Sequence, residues 1–335
     1  MKRPLQILLL AFIATLLSAG LATIQAFTPS QNQTGTRPQR ETAVEKAITW
    51  LHNQYISGNI QYIATCDVAR VVAMWGENPE GAKWTRNGSS LLDDCAQAFD
   101  TLPRKDAGDA AKALRAAIAA GKNPQNFAGA DLILFLENAL DPNTGFYHTT
   151  NLFRNNLAII ALGEAGRSIP QLAIDALLDQ RHDDGCWGWP IGGSLTDTDT
   201  TGLALEALAH AGFDGDNRDI APCITTLIAE QNVDGGWEAR WIDGDISNAD
   251  STALVIEGLV ALGWDPESPA FTKHYTSVES LLSFQADDGA FWWRHDQPGT
   301  LLLGTTQSIQ PLLATYPNEL PKPFIVYQPQ MLRNR

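Results

Sequence analysis

The stretch "QNVDGGWEARWIDGDISNADSTALVIEGLVALG", Gln231 to Gly263, has two unlike halves. It opens on a polar turn with paired glycines and a tryptophan. From Thr252 it becomes a run that is apolar on almost every side and stops at a glycine. Glycine just beyond an apolar helical run is a helix-stop signal, because it accepts the positive φ that ends the helix. A helix apolar on all faces must also be buried on all faces.

The same stop recurs along the chain. Apolar runs end at "VAMWG" (Gly76), "AIAAG" (Gly121), "LGEAG" (Gly166), "LAHAG" (Gly212) and "LVALG" (Gly263), and a sixth ends at "LLATYP" (Pro317). The spacings are 45, 45, 46, 51 and 54 residues. Six near-regular stops mean six repeat units. The helix preceding an all-apolar one is one-sided: "PQLAIDALLDQ" places Leu172, Ala173, Ala176 and Leu177 on one face and Asp175 and Gln180 elsewhere. Six such pairs predict an all-α fold, an α/α toroid of about six helical hairpins. The all-apolar helices form its inner ring and the amphipathic ones its outer ring. A closed ring leaves no exposed terminal repeat. The toroid is expected over 42–317, after a polar linker at 27–41 and before a Pro-rich tail at 318–335.

The turns carry a second signature. "QNVDGGW" (Gln231 to Trp237) and "QADDGAF" (Gln285 to Phe291) share Gln, a Gly four positions on, and an aromatic two beyond. "QRHDDGCW" (Gln180 to Trp187) repeats this with one extra residue, and "DPNTGFY" (Asp141 to Tyr147) lacks the Gln. The polar clusters "DTDTTG", "NADSTA" and "GTTQS" then open the inner helices. Gln-x-x-x-Gly-x-Trp followed by Asp-Ser/Thr-Thr-Ala resembles the prenyltransferase and squalene-cyclase repeat of the terpenoid cyclase/protein prenyltransferase superfamily. The resemblance is clearest over 127–317 and strongest from Gln171. It implies the toroid fold, but that superfamily hosts cyclases, prenyltransferase subunits, thioester domains and cobalamin carriers, so fold does not decide function.

Composition narrows the partners. The chain has 335 residues, is 44% hydrophobic and 18% charged, and carries a net charge of −15. Nucleic acid and anionic membrane surfaces are poor partners for it. "MKRPLQILLLAFIATLLSAGLATIQA" has the layout of a signal peptide, with cleavage after Ala22 or Ala26. Such a chain is secreted or extracytoplasmic; left uncleaved, the leader would anchor it in a membrane. The four cysteines, Cys66, Cys95, Cys186 and Cys223, are an even number in an exported chain and favour disulfides. Three pairings are open.

Asp197-Thr198-Asp199 has two readings. The resemblance to class II terpene cyclases, which carry Asp-x-Asp-Asp, makes Asp199 the acid that protonates an alkene and Asp197 its flanking carboxylate. Trp187 and Trp189 would then supply aromatic faces for carbocations. The fourth position is Thr200, the family usually places this site between two helical domains, and export removes the chain from cytosolic isoprenoids. The other reading is capping, because Asp, Ser and Thr at a helix N-terminus satisfy orphan amides. Asp250/Ser251 and Thr305/Thr306 occupy similar starts, and a repeated feature favours the repeat's own explanation.

Other chemistry is weaker. Asp184, Cys186 and His148 resemble the zinc ligands of protein prenyltransferases, in a different order, and Cys186 is expected to be oxidised. Neither a metal nor a cofactor is therefore expected. "DGDNRD" (Asp214 to Asp219) and "DGDISNAD" (Asp243 to Asp250) read as solvated acidic loops, without the length of a calcium loop. The sequence favours a binding module. Its cup, at the inner-helix N-termini, is edged by Trp187, Trp189, Trp237, Trp241, Trp292 and Trp293, with Thr200, Asp250, Thr305 and His148. It suits a small hydrophobic molecule or a protein segment. A cyclase using Asp199 is the alternative, and a structural cell-surface repeat is the third.

Overall fold

The computed structural model describes residues 36–239 and 246–314. The leader, most of the linker, Trp241, the start of the Asp243 to Asp250 loop and the C-terminal tail lie outside them. Among the described residues, no helix is long and apolar enough to cross a membrane.

Twelve α-helices alternate along the described chain. The outer set is α1 (Arg37–Ile56), α3 (Leu91–Asp100), α5 (Leu132–Ala139), α7 (Gln171–Asp179), α9 (Ala221–Glu230) and α11 (Ser277–Ser283). The inner set is α2 (Ala64–Met74), α4 (Ala107–Ala119), α6 (Leu152–Glu164), α8 (Thr198–His210), α10 (Ala249–Ala261) and α12 (Leu301–Ala314). Each inner helix packs on the next, and α12 packs on α2, which closes the ring. The fold is a six-plus-six α/α toroid.

The stop glycines behave as the sequence requires. Gly76, Gly121, Gly166, Gly212 and Gly263 each follow an inner helix with φ between 69° and 97°. Such angles are costly for any residue with a Cβ. The first helix corrects the linker: α1 starts at Arg37, with Pro38 in its first turn, where a missing N–H costs nothing. Thr36 precedes it, its amide donating to Gln39 Oε1 at 3.1 Å.

The turn motif is an interlock between the two rings. Trp187 Nε1 donates to the Leu177 carbonyl at 2.7 Å, and Trp237 Nε1 to the Leu227 carbonyl at 2.9 Å. Each indole thus bonds a carbonyl in the last turn of its own outer helix. The amides of Trp187, Trp237 and Phe291 donate in turn to the hydroxyls of Thr201, Thr252 and Thr305 on the inner helices. Gln231 Nε2 bridges the Gly235 and Phe271 carbonyls. Gln285 Nε2 bridges Gly289 to Ala43 of α1, so the last repeat grips the first helix across the seam. Gln180, displaced by the extra residue in its turn, instead accepts from the Gly192 amide.

The disulfides pair neighbours. Cys66–Cys95 ties α2 to α3, and Cys186–Cys223 ties the turn before α8 to α9. The early half also holds a hairpin, β1 (Thr85–Arg86) and β2 (Ser89–Ser90), turning through Asn87 and Gly88 with positive φ at both.

Candidate functional site

The N-terminal end of the inner ring separates the two carboxylates of Asp197-Thr198-Asp199. Asp197 is the N-cap of α8. Its Oδ1 accepts from the Thr200 amide at 2.7 Å, and its Oδ2 from the Trp189 amide at 2.6 Å. Asn248 caps α10 in the same way, through the Ser251 amide. The caps therefore lie two or three residues before the positions expected from sequence, and Asp199 is not one of them. It stands in the first turn of α8, and its Oδ1 accepts a 2.5 Å bond from the Ser251 hydroxyl of the neighbouring inner helix.

Asp250 occupies the same turn of α10 as Asp199 does of α8. Its Oδ1 is buried without a hydrogen-bond partner. Gly304 of α12 leaves it room: a Cβ there would lie 3.3 Å from that oxygen. Burial pushes the Asp199 carboxyl up to about 6; the Ser251 hydrogen bond opposes this and the Asp197 charge adds to it. Burial, then the charge of Asp199, pushes Asp250 up to about 7. Asp197 is also raised by burial, against the pull of the amides it caps. Two adjacent carboxyls thus hold protons more tightly than isolated aspartates do.

An open cleft of about 180 Å³ reaches Asp199. Asn151, Phe153, Trp189, Asp197, Asp199 and Thr200 line it. Trp189 is 54% exposed, an indole presented to solvent at the rim. A cleft lined by both an acid and aromatic side chains can deliver a proton to an apolar guest and stabilise the cation that forms.

Several expected cup residues are placed elsewhere. Trp187 and Trp237 are fully buried between the rings, because each indole N–H is committed to a helix end. Thr305 is a buried interlock residue in the second turn of α12, which begins four residues earlier than its polar cluster suggests. Trp292 and Trp293 are half-buried in the last turn. The Trp292 amide donates to the Phe284 carbonyl, and the Trp293 carbonyl accepts from the Ala249 amide at the start of α10. Neither lines the cleft. His148 Nδ1 accepts from the Asn151 amide, and Nε2 lies 3.7 Å from Asp106. The Asp184–Cys186–His148 zinc reading loses its thiolate to the Cys186–Cys223 bond, and Asp184 itself accepts from the Cys186 amide and the Thr196 hydroxyl.

Sequence reasoning missed a charged layer at the other end of the ring. Arg70, Arg115, Ile160, Glu206 and Glu257 each stand six residues before a stop glycine (76 − 70, 121 − 115, 166 − 160, 212 − 206, 263 − 257). Arg115 Nη2 lies 3.0 Å from Glu206 and 2.9 Å from Glu164, and Arg70 lies 3.0 Å from Glu164. Burial works against the Glu164 charge, but Arg115 and Arg70 outweigh it and hold its carboxyl down at about 2. Burial and the charge of Glu206 push Glu257 up to about 8, against the two guanidiniums. The signal was present in the repeat register, at one position carrying Arg, Arg, Ile, Glu and Glu in phase.

No protein-family model and no curated protein matches the chain. Solved structures do match. A variant of the type II terpene cyclase MstE from Scytonema, bound to its substrate geranylgeranyl dihydroxybenzoate, gives a TM-score of 0.61 at 16% identity, over 84% of this chain and 98% of that one. The ligand-free enzyme gives 0.59 at 14% identity, over 83% and 99%. ent-Copalyl diphosphate synthase from Streptomyces platensis gives 0.50 at 19% identity, over 76% of this chain and 50% of that one. At such identities the likeness is one of fold, a terpenoid-cyclase-like toroid.

Proposed function

We propose that the protein is a small, exported cyclase of the class II terpene type, with Asp199 as the acid. The observation that carries this reading is the separation of duties at the start of α8: Asp197 caps the helix, and Asp199 is left in the cleft with its carboxyl raised to about 6. An acid of this kind must be protonated before the guest arrives and must give up its proton inside a poorly hydrated site.

The Asp199 proton adds to one carbon of a guest alkene, leaving a carbocation on the other. A second alkene of the same chain attacks that carbon, closing a ring C–C bond. Loss of a proton from the ring cation to a nearby base regenerates an alkene, so the product is an isomer of the substrate. Trp189 and Phe153 offer π-faces to the cation. Ser251 holds Asp199 in one orientation, and Asp250 beside it keeps a proton in the pair. At about 180 Å³ the cleft lies below the roughly 300–1,000 Å³ of ordinary ligand pockets. It therefore takes a short isoprenoid, or the reacting end of a longer one whose tail stays outside. Two disulfides support an extracytoplasmic setting.

The test is to incubate the protein with squalene, geranylgeranyl diphosphate and geranylgeranyl dihydroxybenzoate, and to read extracts by mass spectrometry. A cyclised isomer is expected, formed fastest below about pH 6, with Asp199→Asn slower by roughly 10²–10⁴-fold. Product formation unchanged in Asp199→Asn would remove the acid. No product from a folded protein that still binds one of these compounds saturably would leave a binding module.

A further inference from the structure

Opposite the cup, the inner helices present their C-terminal ends. Glu206 and His210 stand one turn apart on α8 and share a face, as residues four apart on a helix do. They meet Glu164, the last residue of α6. One imidazole nitrogen and one oxygen from each carboxylate lie within 4.8 Å of one another. Gly163 makes this approach possible: a Cβ there would come within 2.5 Å of His210 Cβ and 2.7 Å of its Nδ1.

The two arginines do not use up this cluster. Arg70 and Arg115 hold Glu164 through Oε1, and Arg115 holds Glu206 through Oε1. Oε2 of Glu206 is left buried with no partner, in a residue only 7% exposed. Such a carboxylate oxygen is costly unless something completes it. The His210 imidazole likewise has no hydrogen-bond partner among the described residues. Glu257, raised to about 8, keeps its proton at neutral pH, so the carboxylates of Glu164 and Glu206 face two guanidiniums. Six inner helices also end here, each with roughly half a negative charge at its C-terminus. This mouth of the ring attracts a further cation.

We propose that Glu164, Glu206 and His210 bind one divalent transition-metal ion of zinc's class, pinning α6 to α8 and leaving its remaining coordination positions to the open mouth. An imidazole beside two carboxylates selects such an ion over magnesium or calcium, which prefer oxygen alone. The competing account makes Arg115 the resident cation and the layer a purely ionic floor beneath the cup.

The untagged full chain, stripped with a chelator and dialysed, decides between them by calorimetric titration with Zn²⁺ and, as a control, Mg²⁺. The expected result is one saturable zinc site, no comparable magnesium site, and a melting temperature raised by zinc. His210→Gln, checked by circular dichroism and by an unchanged metal-free melting curve, is expected to weaken zinc binding at least tenfold. Crystals soaked in zinc should show anomalous density between the three side chains. Absence of saturable binding, equal affinity in His210→Gln, or density only elsewhere overturns the proposal. None of these readouts depends on cyclase activity, so this site stands or falls apart from the acid in the cup.

Discussion

Helices α8 and α10 each carry two carboxyl groups seven residues apart, Asp199 and Glu206 on one, Asp250 and Glu257 on the other. Two turns of helix thus separate a pair at the cup from a pair in the charged layer. Among the described residues no guanidinium acts on the acids at the cup, and burial raises both. In the layer, Arg70 and Arg115 reach in from α2 and α4 and hold Glu164 of α6 fully ionised, whereas burial and Glu206 keep Glu257 raised to about 8. A carboxyl in this ring becomes a proton store or an ion-pair anchor according to whether a facing helix brings a guanidinium to it. Chemistry in this toroid is written across helices, not along them.

The largest way to break that contrast is to remove the cation. Arg115→Leu leaves Glu164 and Glu206 facing each other in a buried layer, and stripping one partner from such a network costs about 3–5 kcal/mol. Urea unfolding at pH 7 should show a loss of that size. Glu206→Gln added to Arg115→Leu should recover part of it, because the uncompensated charge is then gone. A loss below about 1 kcal/mol would mean the layer is solvated, and the contrast with the cup would dissolve.

Only part of this pattern is legible in the sequence. The fold could be read because helix-stop glycines and all-apolar inner runs are local signals, set by φ and by burial. The indoles of Trp187 and Trp237 were misread as cup walls for the opposite reason. Their positions in sequence are regular, but whether an indole faces a cavity or a helix end depends on where its N–H finds an acceptor. Asp197 and Asp199 pose the same difficulty, since the roles of two neighbouring residues are set by which amides one caps and by the distant Ser251 that holds the other. Arg70 and Arg115 were missed because each looks like an ordinary helix cation until the register is laid out across repeats.

A smaller effect, of opposite sign, comes from the cup. Asp250 is raised from an ordinary 3.8 to about 7, so between those values the folded protein holds a proton that the unfolded chain has released. Stability is then lost as pH rises, and the penalty is complete above about pH 7. Asp250→Asn removes it. The variant should be more stable than the parent by about 1–2 kcal/mol at pH 8, after allowing for solvent screening of a half-buried group, and equal to it at pH 4. Thermal melts at the two pH values measure the difference. A gain at both would make it a packing effect, whereas a gain confined to pH 8 fixes the cup as a site strained by its own charge.

The smallest expected change in stability is also the sharpest probe of the cup. Trp189 lies two residues from Trp187, yet it is 54% exposed where Trp187 is fully buried. Its structural bond is made by its backbone amide, which donates to Asp197 Oδ2 at 2.6 Å, and any side chain preserves that. Trp189→Ala should therefore leave urea unfolding within about 0.5 kcal/mol of the parent, as surface substitutions do. If the indole stabilises a cation over the cleft, its loss costs about 0.5–2 kcal/mol at the transition state, or about a two- to thirtyfold fall in kcat/KM. A fall carried by kcat assigns the indole to the cation. If KM alone rises, the ring serves to hold the guest, and stabilisation of positive charge rests on Phe153.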